Sequence, residues 1–426
     1  PGRRTVTTTR LAGGGVQGRQ SFAQPRVSSM SSQQDPSDPP AGAGLDERFL
    51  SKEGTATPPP AGSMSPEARS LLMNFVFMSA CFSANHGAVT SVIALASSFN
   101  ATLGSYSVGV LYSLYVVTAM LFAQTFVDWM TQKGALVSAL GLYSIYVGSY
   151  LVAALAPETA WYAVLFGASV GGFGAGVLWT AQGAYFKANS RLYAAARGVT
   201  DEQAAGLFSS VFATFYLGFE VTLKIVGSLA STYGGSGDTG KYLIYAIYTV
   251  ISVGAAMLMT MVRDMKFQQT PSAQDTKPGM FDKVSSALRL LILNPKCYLM
   301  VPTNVAFGFA AAFITAYIQG SVIAPVDSDL DDDDKISKDT EHHNSLVLLY
   351  SSLAIGVATF LAMPFHWLRD RCGTQPIMLI GAGAFVFVAT LSLSTSDQGL
   401  RHILWLLYIV YGAGRCIWES TVRPNQ

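Results

Sequence analysis

This chain is short of charge. Only 12% of its 426 residues are Asp, Glu, Lys or Arg, about half the share usual in a soluble domain. It is also short of the residues that build metal and disulfide sites. The four cysteines, Cys81, Cys297, Cys372 and Cys416, form no CxxC and no Cys/His metal spacing, which argues against a zinc module or a disulfide framework. No phosphate-binding loop and no Ser/His/Asp grouping in a soluble segment is present, so no enzyme chemistry, cofactor or metal is expected. The net charge of +1 sums segregated charges and leaves no footprint of a nucleic-acid partner.

What the chain has in excess is apolar length. Half of it is hydrophobic, and long apolar runs recur from Leu71 to Trp418. Ten of them approach or exceed the ~20 residues needed to cross a bilayer. The expected spans are 70–98, 104–130, 134–156, 159–187, 202–230, 241–262, 296–324, 344–368, 374–394 and 400–420. Runs this continuous are helices rather than barrel strands. The fold class is therefore an all-α, multi-pass membrane protein in contact with the lipid bilayer.

Residues 1–66 lack large apolar side chains and are rich in Pro, Gly, Ser, Thr and Gln, the composition of a disordered tail. Up to Gln34 the tail holds Arg3, Arg4, Arg10, Arg19 and Arg26 and no acid. That suits either an ordinary cytosolic tail, the favoured reading, or an organelle transit peptide. With the N-terminus in the cytosol, basic residues in the inside loops number twelve against four outside (Lys241, Lys335, Lys338 and Arg401), which fixes the orientation. The longest loop, residues 263–295, spaces Phe281, Val284, Leu288 and Leu291 as one apolar helix face. It reads equally as an interfacial helix or as a short helix packed on the protein.

Two markers recur on either side of that loop. Asp128 and Lys133 follow the second span, and Asp370 and Arg371 follow the eighth, as carboxylates and bases that can latch cytosolic helix ends. GAGVLW (174–179) in the fourth span is echoed by GAGRCIW (412–418) in the tenth. Two parallel repeats joined by a long cytosolic loop are the layout of the major facilitator superfamily. The expected domains are the tail 1–66, a six-helix bundle 70–262, the loop 263–295, and helices of a second bundle over 296–426.

Within that layout, SSFNATLGSYSVGVLYSLYVVTAMLFAQ (97–124), GLYSIYVGSYLVAAL (141–155), GAGVLWTAQGAYF (174–186) and LILNPKCYLMVPTNVAFGFAAAFITAYIQG (291–320) resemble the Unc-ninety-three family, often called ion channel regulatory proteins. LWTAQGAYF is the most specific element, and the resemblance covers residues 70–420. It implies a major facilitator superfamily-like two-bundle fold of twelve helices, of which about ten are present here, so the chain reads as truncated at its C-terminus. It also implies a central cavity lined by the first, fourth, seventh and tenth helices, and binding and regulation of an ion channel or receptor. The alternative is a secondary transporter moving a small solute, ion or proton by alternating access. A scaffold in an organelle membrane is a third reading. The membrane itself is undetermined, with plasma membrane or endomembrane favoured.

Polar groups inside spans are the candidate functional residues, because lipid tolerates them only when they face partners or water. Asn85 and His86 lie midway along the first span, as substrate or proton contacts or as hydrogen-bonding glue between helices. Glu220 and Lys224, and again Arg415 and Glu419, stand one turn apart and read as two self-neutralising pairs or as ion-coupling groups. Trp179, Gln182, Asn304 and Gln319 are milder polar groups, with packing the simpler role for Trp179. Gly167, Gly171, Gly172, Gly174 and Gly176 form a packing stripe. The acidic run from Asp327 to Asp333 fails as a calcium loop, with Asp332 at the glycine position and Lys338 at that of the bidentate Glu, and reads as a solvated loop. Asn100-Ala101-Thr102 is a glycosylation sequon close to the outer membrane face.

Overall fold

A computed structural model describes residues 64–233, 238–265, 280–323 and 333–422. The tail 1–63 and most of the acidic run lie outside the described residues, so those readings meet no structure here. Among the described residues nine helices are long and apolar enough to cross a membrane, and a shorter apolar helix, Leu404–Trp418, stands where the tenth span is expected.

In order the helices are α1 (Pro66–Phe99), α2 (Ala101–Leu121), α3 (Ala123–Met130), α4 (Gln132–Leu155), α5 (Ala160–Arg197), α6 (Asp201–Tyr233), α7 (Asp238–Met259), α8 (Met280–Leu293), α9 (Pro295–Phe313), α10 (Asp333–Cys372), α11 (Thr374–Ser394), α12 (Asp397–His402) and α13 (Leu404–Val422). A π-helical stretch, Ile314–Ile323, prolongs α9. Local chemistry sets the ends. Ser65 accepts from the Ala68 N–H, with Pro66 in the first turn of α1, a capped start that needs no neighbour. Gly198 ends α5 in the left-handed conformation at φ 68°, where a Cβ is penalised.

Several boundaries differ from the sequence reading, and α5 runs on to Arg197 where 187 is expected. The second expected span breaks at Phe122 into α2 and α3. The tenth breaks at Ile403. The eighth begins at Asp333 rather than 344, because hydropathy marks where lipid begins and not where a helix does.

In the first half α1 packs on α6, α7, α2, α4 and α5, and α5 packs on α4 and α2. In the second half α13 packs on α10 and α11. The halves meet through α6 against α10 and through α1 against the π-helical stretch. Their hydrogen bonds at that junction lie toward the C-terminal ends of α1 and α6. Ser228 Oγ is 2.8 Å from Ser345 Oγ, Thr232 Oγ1 is 2.9 Å from it, and Ser97 Oγ donates to the Thr315 carbonyl at 3.3 Å.

Glycines mark the repeat. A Cβ on Gly412 would strike Ala354 of α10, and one on Gly414 would lie 2.8 Å from the Phe385 ring of α11. In the first half Gly176 also meets α2, and Gly167 and Gly171 also meet α4, but the pair that repeats this order two residues apart is Gly172, against Leu111 and Leu114 of α2, and Gly174, against Leu142 and Ala139 of α4. The structural correspondence is thus two residues earlier than the GAG echo in the sequence.

The two marker loops also share a backbone conformation. Thr131, three residues after Asp128, has φ 73° and ψ 158°, and Gly373, three after Asp370, has φ 82° and ψ 172°. Each precedes the first residue of the next helix. Glycine adopts this region without penalty, whereas a β-branched residue does not, and such a conformation costs ~1–3 kcal/mol. Thr131 recovers part of that by accepting from the Gly134 N–H at 3.2 Å, a cap whose replacement by glycine loses only about a few tenths of a kcal/mol. Thr131→Gly is therefore expected to stabilise the protein by about 1 kcal/mol, read as a rise in the thermal midpoint in detergent. A lower midpoint would mean that the loop is relaxed with threonine in place.

Candidate functional site

The buried ionisable groups Glu220, Lys224 and His86 gather on α6 and α1, with Trp179 of α5 and Arg415 of α13 beside them. On α6, Tyr216, Glu220 and Lys224 recur every fourth residue and so share a face. All three are buried. Lys224 Nζ donates to Glu220 Oε1 at 3.0 Å and to Thr90 Oγ1 of α1 at 3.1 Å. The other carboxylate oxygen, Oε2, lies 3.4 Å from Arg415 Nη2 of α13. Glu220 is thus shared between a lysine of its own helix and an arginine of the other half. The sequence reading paired Arg415 with Glu419; the Glu419 side chain is outside the described residues, and Arg415 reaches across the seam to Glu220.

One turn from Glu220, Tyr216 places its hydroxyl 3.0 Å from His86 Nε2. The imidazole is boxed by rings. Phe82, Tyr143, Trp179 and Tyr216 have centroids 5.1–6.0 Å from that of His86, distances typical of favourable aromatic contacts. His86 and Glu220 are within electrostatic range of each other. Tyr112 of α2, half exposed, is within range of both Glu220 and Arg415. The site is a charge cluster joined through one tyrosine to an aromatic box.

Asn85 is used elsewhere. Fully buried, it donates through Nδ2 to the Ser252 carbonyl at 2.9 Å and to Ser252 Oγ at 2.8 Å, with the Leu140 carbonyl and Ser144 Oγ at 3.2 Å. It ties α1 to α4 and α7 within the first half, the helix-gluing role. Gln182 is half-buried one turn past Trp179, and Asn304 is exposed on α9. Gln319 is buried and donates to Ser351 Oγ at 2.9 Å. The structure therefore brings His86, Trp179, Glu220, Lys224 and Arg415 together and places Asn85 and Asn304 apart from them.

At the inner ends, Asp128 accepts from Gln124 Nε2 at 2.9 Å. Lys133 is half-buried. Arg371 stacks 3.9 Å above the Trp367 ring. The Asp370 side chain lies outside the described residues. At the outer end, Asn100 caps α2 by accepting from the Leu103 N–H at 2.8 Å, so the sequon asparagine already has a structural task. Tyr185, in the LWTAQGAYF run, closes a ring of bonds: it accepts from Asn74 at 2.6 Å and donates to the Arg263 carbonyl at 2.7 Å, while the Arg263 N–H donates to Asn74 at 2.8 Å. That ring fastens the start of the long loop to α1 and α5.

Sequence reasoning missed Tyr216, Tyr143, Tyr112 and Thr90. Tyr216 had a readable signal, its four-residue step to Glu220. Tyr143, Tyr112 and Thr90 had none, because only the packing of separate helices brings them here. Among the described residues no group of three or more His, Cys, Asp or Glu side chains could hold a metal ion.

Known proteins resemble this chain in two ways. Residues 96–393 match the family described as ion channel regulatory protein UNC-93. UNC93-like protein 3 of Arabidopsis thaliana is 23% identical over 235 residues, which are 54% of this chain and 49% of that protein. The chain thus spans about half the length of the curated relative it matches. Among solved structures, a mutant of the nucleoside transporter NupG superposes with a TM-score of 0.58 at 15% identity, over 82% of this chain and 81% of that one. A D-xylose-proton symporter does so at 0.54 and 11% identity, over 83% and 86%. At such identities the likeness carries the fold alone, the two-bundle major facilitator fold.

Proposed function

Because the chain belongs to the UNC-93 family of ion channel regulatory proteins, we propose that this multi-pass membrane protein is a non-enzymatic accessory subunit that binds an ion channel or receptor and controls its activity or trafficking. The observation that carries this reading is the family match over residues 96–393. The geometry fits it. Glu220 clamps the two halves through Arg415, and the aromatic box fills the space around His86, an arrangement suited to holding one shape for a partner to recognise. We read residues 70–262 as one bundle, 263–295 as its connector and 296–426 as helices of the second bundle. Plasma membrane or endomembrane is the expected location.

One observation favours a second reading, a secondary transporter of a small solute or proton. The clamp is ionic, and it sits in the seam between halves, where this fold places substrates. A carboxylate shared by two cations, with an imidazole in electrostatic range, is a group that protonation would release.

The two readings part on one experiment. Affinity capture of the intact protein from its native membrane is expected to bring down a channel or receptor in near-stoichiometric amount, and Glu220→Gln is expected to leave that capture intact. Reconstituted vesicles are expected to show no pH-dependent flux. Flux abolished by Glu220→Gln or His86→Ala, with no captured partner, would replace the regulator reading with the transporter one.

A further inference from the structure

Helix α8 carries an apolar surface that its packing does not use. The helix touches α9 and α2. The apolar face read from the sequence, Phe281, Val284, Leu288 and Leu291, is one stripe along it, and Val284 on that stripe is half-buried. Leu290, Ile292 and Leu293 stand off the stripe, in the last turn, and are 57%, 71% and 64% exposed. Large apolar side chains grouped in this way mark a surface that something apolar covers.

Charge and position identify the cover. Arg289 is exposed immediately before Leu290. With Ser286, Leu290, Leu293, Asn294 and Pro295 it lines a cleft of about 460 Å³ at the joint between α8 and α9. Asn294 holds that joint by donating its N–H to the Leu290 carbonyl at 3.0 Å. The apolar span that follows begins at Val301, about two helical turns past Leu293, so the cleft stands at the headgroup layer rather than far out in water. From Arg263 to Lys296 the chain carries six bases (Arg263, Lys266, Lys277, Lys283, Arg289 and Lys296) against three acids (Asp264, Asp275 and Asp282), on the side that the loop charges assign to the cytosol. A basic segment beside a span is drawn to the anionic inner leaflet, and a guanidinium takes a phosphate through two parallel N–H bonds.

We propose that the cleft at the α8–α9 joint binds the phosphate headgroup of an anionic phospholipid of the inner leaflet, with Arg289 as the cation and Leu290, Ile292 and Leu293 seated among the acyl chains. Ser286 adds a hydroxyl to the same cleft. A free phosphate shares the headgroup's chemistry but offers nothing to the apolar trio. Cation and trio lie side by side, as the two parts of a phospholipid do, which favours lipid over a soluble anion or a protein partner. The inference goes beyond the regulator reading and does not depend on it. For a regulator or a transporter alike, a lipid held here ties the long connector to the membrane and makes its position respond to lipid composition.

The intact protein in nanodiscs tests this, with discs of phosphatidylcholine and a minority of phosphatidylserine compared with discs of phosphatidylcholine alone. Native mass spectrometry of protein released from the mixed discs is expected to find phosphatidylserine retained in preference to phosphatidylcholine. Arg289→Gln should lower that preference about tenfold, as loss of a charge-assisted hydrogen bond does. Arg289→Lys, which keeps the charge and loses the fork, should fall between. Lys187→Gln, at an exposed base of α5, should leave the preference unchanged, and excess inorganic phosphate should not displace the lipid. A spin label at Ile292→Cys, with the four native cysteines replaced, reads insertion in both kinds of disc: in the mixed discs it should be reached by oxygen dissolved in the bilayer and shielded from a water-soluble nickel chelate. A preference indifferent to Arg289→Gln, an equal loss with Lys187→Gln, displacement by free phosphate, or a label open to the chelate in the mixed discs would each overturn the proposal, the last by leaving the apolar trio to a protein partner.

Discussion

Glu220→Ala is expected to be among the most damaging single changes in the protein. Glu220 and Lys224 are each 3% exposed, and Glu220 answers two cations at 3.0 and 3.4 Å. Removing the carboxylate leaves Lys224 buried with the Thr90 hydroxyl as a poor substitute. Breaking a buried pair from one side costs ~3–5 kcal/mol, whereas replacing both partners with apolar residues of similar volume is often neutral. Two consequences follow for thermal unfolding in nanodiscs. Glu220→Ala should lower the midpoint more than Lys224→Met, because in the latter Glu220 keeps Arg415. The double variant Glu220→Met/Lys224→Met should regain most of the loss, since Arg415, with 16% of its side chain exposed, is the cation nearest to solvent. A Glu220→Ala protein with a wild-type midpoint would mean that water fills the seam and screens the cluster. That result would also remove the clamp from the functional argument.

The clamp shows where sequence reasoning stops. The spans were legible, because a 20-residue apolar run in a charge-poor chain has few alternatives. Glu220 with Lys224 was legible too, because a four-residue step is a helix face whatever the tertiary fold. Arg415 reaching Glu220 was not: 195 positions separate them, and no local pattern encodes which half-helices meet. The same limit left Asn85 open between two readings. A buried asparagine midway through a span reads equally as a cavity group or as glue, and only the Ser144 and Ser252 hydroxyls opposite it decide the matter. The GAG echo aligned by identity, whereas the helices align by which glycine touches which neighbour. The break at Phe122 leaves no hydropathy signal, since α2 and α3 are both apolar. Family membership was legible for a different reason: LWTAQGAYF holds both Trp179, in the box, and Tyr185, in the loop fastening, so two separate physical tasks constrain one short run.

The glycines of α5 should give effects of opposite sign along one helix. A Cβ on Gly172 would lie 2.5 Å from the Leu111 carbonyl oxygen, and one on Gly176 would lie 2.7 Å from the Ala119 nitrogen. Both obstacles are backbone atoms of α2, which no side-chain rotation can move aside. Gly172→Ala and Gly176→Ala must therefore push α2 away from α5, at ~1–3 kcal/mol each for overpacking, and Gly172→Leu should cost more still. Gly183 lies two turns farther on the same helix, and a Cβ there meets nothing within 4 Å. Gly183→Ala removes a flexible residue from a helix interior and should gain up to about 1 kcal/mol. Thermal midpoints of the three alanine variants in one detergent separate close packing from helix propensity, because propensity alone predicts a gain at all three sites. The displacement has a further consequence at the seam. α2 also carries Tyr112 into range of Glu220 and Arg415, so Gly176→Ala should change the environment of the charge cluster without touching it. If all three alanines stabilise, α2 and α5 do not approach as closely as their glycines allow, and the position of Tyr112 beside the cluster falls with that contact.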